Sequence, residues 1–152
     1  DYLSSASSPG APCPTFVARM RDDSSRVISN ESVRGKVTLL WISTPGQWQR
    51  DESLKRLRSL YSEYHDAGFT LVNVHCMLER KGENGRTYPE PDMPWMRAAL
   101  LDWSNVPLIK TLRIWTFPYF VLIDKSGAIL ATSAGLCDDS ALDALIAEAT
   151  KK

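Results

Sequence analysis

The sequence predicts an α/β domain in which a central mixed β-sheet is flanked by helices and preceded by an N-terminal β-hairpin. Residues 36–42 and 69–74 are short, β-rich apolar runs without clean alternation, as expected of central strands covered on both faces. Between them Leu54, Leu57, Leu60, Tyr61 and Tyr64 recur at helical spacing, with Lys55, Arg56 and Arg58 on the opposite, solvated face. Residues 117–123 form a third apolar run. Asp124, Lys125, Ser126 and Gly127 close it and residues 128–131 answer it, which is a hairpin with glycine where a turn needs positive φ. Such alternation of strands and helices requires helical layers against a sheet.

The remaining elements follow in order. Residues 1–10 are rich in Ser and small residues and read as a flexible segment, leaving residues 11–152 as one domain. An extended segment begins at residues 11–16. A polar turn at residues 21–25 leads into a second short strand at residues 26–28. Ser29 or Asn30 can cap a helical turn that ends at Gly35. Gly68 stops the first long helix, residues 81–91 form a loop, and residues 93–103 are expected to be helical. Asp138, Asp139 and Ser140 cap the last helix, whose inner face is Leu142, Leu145 and Ile146.

Composition narrows the function. The chain has 152 residues, 43% of them apolar, enough for a real core. Eighteen basic residues balance 18 acidic ones, so no basic field favours nucleic acid. Apolar runs are strand-sized, too short to cross a bilayer, and no signal peptide is visible at the start. His65 and His75 match no metal-ligand spacing, and neither a metal nor another cofactor is expected. Cys13, Cys76 and Cys137 allow one disulfide and one free thiol, or three free thiols.

Four motifs, in order, resemble the thioredoxin-like superfamily, especially its TlpA-like and nucleoredoxin-like branches. Gly10-Ala11-Pro12 followed by Phe16 resembles the opening G-x-A-P-x-F. Arg34-Gly35-Lys36-Val37 with Leu39-Leu40-Trp41 resembles the first core strand, and Asp92-Met93-Pro94-Trp95 the MPW element. Residues 114–127 resemble the V-x-x-x-P-T-x-x-L-I-D-x-x-G block. The resemblance covers the chain from about residue 10 onward. It implies a thioredoxin-like fold and makes Pro118, after Phe117, the cis-proline beside the active-site corner. A weaker similarity to glutathione peroxidases rests on Trp115-Thr116-Phe117 and His75-Cys76, and it would put their nucleophile at Pro45.

The same resemblance exposes a gap. No cysteine lies between Cys13 and Cys76, where active relatives carry CxxC. There the first thiolate is stabilised at a helix N-terminus and the second resolves the mixed disulfide. Here the corner is Pro45, Gly46, Gln47, Trp48 and Gln49, with Gly46 and Gln49 at the two cysteine slots. Glycine has no side chain and an amide is no nucleophile. Ser43 and Thr44 would need an adjacent base to act as nucleophiles; bonding to the corner backbone is their ordinary role. Cys76 follows the strand at residues 69–74 on the side of the corner, either as a buried structural residue or as a reactive thiol. Cys137 precedes a helix N-terminus, with Asp138 and Asp139 opposing a low pKa. Cys13 could pair with either.

Trp48, Trp115 and Tyr119 are candidate binding aromatics around the corner and the Pro118 loop, against the alternative of ordinary packing; Phe117 reads as core. The expected function is a redox-inactive protein- or peptide-binding or scaffolding module. The alternative is an oxidoreductase or peroxidase-like enzyme working through a lone Cys76 or Cys137. An extracytoplasmic location is expected from the opening segment and tail. The partner is expected to be a protein or extended peptide, with no nucleic acid and no membrane insertion.

Overall fold

A computed structural model describes residues 10–23, 25–44, 51–76, 93–100, 102–135 and 141–152. The hairpin is formed by β1 (Val17–Met20) and β2 (Val27–Ser29), paired antiparallel. Next come β3 (Val37–Ser43), α1 (Asp51–Tyr64), β4 (Phe69–Cys76), β5 (Met96–Leu100), α2 (Pro107–Leu112), β6 (Tyr119–Ile123), β7 (Ile129–Ser133) and α3 (Ala141–Thr150). One seven-stranded sheet runs in the order β2-β1-β5-β4-β3-β6-β7. The β3/β4 and β4/β5 pairs are parallel and the other pairs antiparallel, so the sheet is mixed.

Every residue of β3 and β4 is buried, because the sheet separates two apolar layers. On one face Leu40, Ile42, Val72 and Val74 pack with Phe16 and with Leu108, Ile109 and Leu112 of α2. On the other, Leu39, Trp41, Phe69 and Leu71 meet Leu54, Leu57 and Leu60 of α1 and Leu142 and Ile146 of α3. The period-2 alternation of strand side chains sends neighbours to opposite layers.

Residues 93–103 are not the expected helix. Their centre is β5, held parallel to β4 and antiparallel to β1. Ala98, Ala99 and Leu100 favour helix locally, but Ala98 and Leu100 are buried while Ala99 between them is not. That strand alternation, with ladders on both sides, outweighs the propensity. The helix comes later, as α2, opened by Pro107 at its first position, where the missing N–H costs nothing.

Two further expectations change. Asn30 sits at the start of a 3₁₀ turn (Glu31–Val33) but does not cap it. Its amide instead takes the Phe16 N–H at 2.9 Å and donates to the carbonyls of Cys13 and Pro14, fastening the opening segment. Arg56 is not simply solvated: it lies 2.9 Å from Asp143 of α3, joining the two helices on that face. Arg58 is exposed. Leu145 of α3 is half-buried, at the edge of its inner face.

Candidate functional site

In the parallel β3/β4 pair Val37 lies opposite Phe69 and Ser43 therefore opposite His75, one residue before β4 ends at Cys76. Period-2 alternation therefore puts Trp41, Ser43, Asn73 and His75 on one face, the face covered by α1. Ser43 Oγ lies 2.9 Å from Nδ1 of His75. Asn73 Nδ2 donates to Ser43 Oγ at 3.1 Å and to the Trp41 carbonyl at 3.0 Å. Both amide protons of Asn73 are thus used within the sheet. Burial, and after it the charge of Arg21, pushes the His75 imidazole down to about 4, so it is neutral at physiological pH. A neutral ring can accept the hydroxyl proton of Ser43 at Nδ1.

Ser43 therefore has the neighbouring base that the sequence did not reveal, and its hydroxyl bonds side chains rather than the corner backbone. The only signal was His75 near a strand end; the register of that strand against β3 is not written in either segment alone. The contact does not make a nucleophile: Ser43 is 0% exposed, so no substrate carbonyl reaches its oxygen.

The thiols behave differently from a redox pair. Cys76 points to the opposite layer, and burial raises its pKa to about 12. Cys13 is half-buried with its pKa likewise raised to about 12 by burial, and its S–H faces the Pro14 carbonyl at 3.4 Å. Both are free, so neither of the disulfides open to Cys13 is formed. A thiol held protonated in an apolar layer is inert toward disulfides. Cys137 lies outside the described residues, as do Pro45, Gly46, Gln47, Trp48, Gln49 and the capping residues 138–140.

The loop before β6 borders the end of β3, since Tyr119 pairs with Ile42. Its Phe117–Pro118 peptide is cis. Ile114 is fully buried and anchors the loop, whereas Trp115 is 64% exposed. Among the described residues, no hydrogen bond engages the backbone of Trp115, Thr116 or Phe117. Phe117 is half-buried, edge-on to Trp103 at 5.4 Å. Tyr119 is buried in the core, which removes it from any exposed binding surface. Of the aromatics singled out in the sequence, Trp115 alone is described and exposed.

The arrangement matches solved structures closely in shape and weakly in sequence. The thioredoxin domain of a thiol-disulfide oxidoreductase from Bacteroides vulgatus superposes with a TM-score of 0.71 at 18% identity, covering 94% of this chain and 99% of that one. A thiol-disulfide oxidoreductase from Bacteroides fragilis gives 0.68 at 18%, covering 90% and 98%. The fold is thioredoxin-like. A thiol:disulfide interchange protein from a Bacteroides species gives 0.71 at 18%, covering 95% and 91%. No family model matches the sequence, and no curated protein does. Within this thioredoxin-like fold, the described residues hold no group of three His, Cys, Asp or Glu side chains able to bind a metal. None of their helices is long and apolar enough to cross a membrane.

Proposed function

We propose that the chain is a redox-inactive thioredoxin-fold module that captures an extended polypeptide along the loop at residues 115–117. The observation that carries this reading is the exposed Trp115 beside backbone groups that have no partner among the described residues. Unpaired backbone N–H and C=O groups are available to main-chain hydrogen bonds from an extended guest. A large exposed indole adds the anchor that such contacts need. The missing CxxC argues for binding without exchange, as do the two protonated thiols, one buried and one half-buried. An extracytoplasmic location belongs to the same proposal, on the likeness of the opening segment and the tail to TlpA-like proteins.

A suitable probe is reduced, carboxymethylated α-lactalbumin, an extended chain whose thiols are blocked. Titrating it should shift the amide resonances of Thr116 and Phe117, and Trp115→Ala should weaken binding by about tenfold. Shifts confined to other surfaces, or unchanged affinity in the variant, would remove this reading.

A second reading, oxidoreductase chemistry through a lone thiol, is favoured by the activity named for the structural neighbours. Insulin reduction that is lost in Cys76→Ala or Cys137→Ala would establish it.

A further inference from the structure

Beneath α1, three buried side-chain atoms in one layer make no hydrogen bond: the acceptor Asn73 Oδ1 and the donors Trp95 Nε1 and Trp41 Nε1. Asn73 is 0% exposed, and its Oδ1 accepts nothing. The side chain cannot be turned to relieve this. Its nitrogen must face the Trp41 carbonyl, which only accepts, and it also serves Ser43. Trp95 is 4% exposed, and its Nε1–H donates to nothing.

Asn73 and Trp95 share that layer. Asn73 pairs with Arg97 across β4 and β5, and Trp95, in the bend just before β5, belongs to the layer on the α1 side of the sheet. Trp41 touches both positions: it is the β3 partner of Asn73 and lies edge-on to Trp95 at 6.3 Å. Tyr61 of α1 closes the layer from outside, 5.8 Å from the Trp95 ring. Each orphan left alone would cost about 1–3 kcal/mol, a large toll for one small patch.

We propose that this layer contains a binding site for one internal water molecule, which accepts from Trp95 Nε1–H and donates to Asn73 Oδ1. Only a molecule that both accepts and donates relieves the pair. It must also be small enough for a closed aromatic layer, and it must be neutral, because nothing there would compensate an ion. The water extends the Ser43–Asn73–His75 cluster into one hydrogen-bonded seam from the end of β3 to the entry of β5. The hydroxyl and imidazole are then held by a network whose far end is the Trp95 indole.

The test counts long-lived waters by oxygen-17 relaxation dispersion in the intact chain. Trp95→Phe keeps an aromatic ring and removes the N–H, and it should lose one long-lived water. Asn73→Leu should lose one as well, and the double variant no more than one. An unchanged count in Trp95→Phe, or a loss of two in the double variant, would overturn the proposal. Trp95→Phe is conservative enough to stay folded if Asn73→Leu does not. In the unaltered protein the Trp95 indole proton should show a cross-relaxation peak with water of the sign expected for long residence. A contact from that proton to a side chain of residues 77–92 in its place would equally defeat the idea.

Discussion

The two ends of the sheet treat their polar groups in opposite ways. At the end where β6 turns into β7, nearly every group is spent on holding the chain. Asp124 Oδ1 accepts from the N–H groups of Ser126 and Ala128 and from the Ser126 hydroxyl. Gly35 N–H reaches the Lys125 carbonyl at 2.8 Å, and Lys125 Nζ reaches the Thr150 carbonyl at 3.2 Å. The opening segment is stitched on through Cys13 N–H to the Gly127 carbonyl. At the other end, β3 and β4 finish in a buried Ser43–Asn73–His75 cluster, and among the described residues nothing bonds the backbone of Trp115, Thr116 or Phe117. Buried atoms without a hydrogen bond, on Asn73, Trp95 and Trp41, belong to the layer beside that cluster; among the described residues the turn end has none. One end is built for stability. The other carries unsatisfied groups, which is where a partner or ligand has something to gain.

The comparison breaks most sharply at Ser43. Ser43→Ala removes one oxygen but strands two buried neighbours, an Asn73 amide proton and the His75 Nδ1. At about 2 kcal/mol for each unsatisfied group, the variant should lose about 4 kcal/mol in urea unfolding. A loss under about 1 kcal/mol would mean that water already reaches the cluster, and the contrast between the two ends would fail.

How much of this was legible from sequence follows the range of the interactions involved. The strands at residues 37–43, 69–76 and 119–123 and the helix of Leu54, Leu57 and Leu60 are local patterns and can be read directly. β5 could not, because Ala98-Ala99-Leu100 is strand-forming only when β1 and β4 flank it. The Ser43–His75 contact depends on register between residues 32 apart in the sequence, which neither strand specifies alone. The missing CxxC was plain, since it is a matter of composition at one place. The orphaned Trp95 N–H was invisible: nothing in an MPW motif says whether its indole finds a partner.

Acid should separate the two ends in pH. His75 has its folded pKa lowered from the ordinary 6.5 to about 4. Above 6.5 both folded and unfolded forms are neutral and no stability is at stake. As pH falls toward 4, the unfolded imidazole takes up a proton that the folded one refuses. Stability should fall by about 1.4 kcal/mol per pH unit, about 3 kcal/mol at most, and level off below 4. His75→Gln should flatten that slope. For Asp124, burial raises the pKa, but hydrogen bonds from Ser126 and the backbone of residues 126–128 outweigh it and hold it low. Its contribution is present above the unfolded value of 3.8 and disappears only as pH falls further through the folded value. An acid-induced loss in His75→Gln over the same pH range as in the unaltered protein would erase the distinction.

The smallest effect is expected at the stable end itself. Asp124→Ala removes an oxygen that accepts three hydrogen bonds, more than Ser43 makes, yet its partners are a half-buried turn and an exposed serine. Groups at a surface turn to water when a partner is lost, so their desolvation cost is never incurred. The variant should lose only about 1 kcal/mol in urea unfolding, despite the greater number of bonds. If it instead lost as much as Ser43→Ala, bond count rather than burial would govern stability here. The turn would then be the more critical of the two ends.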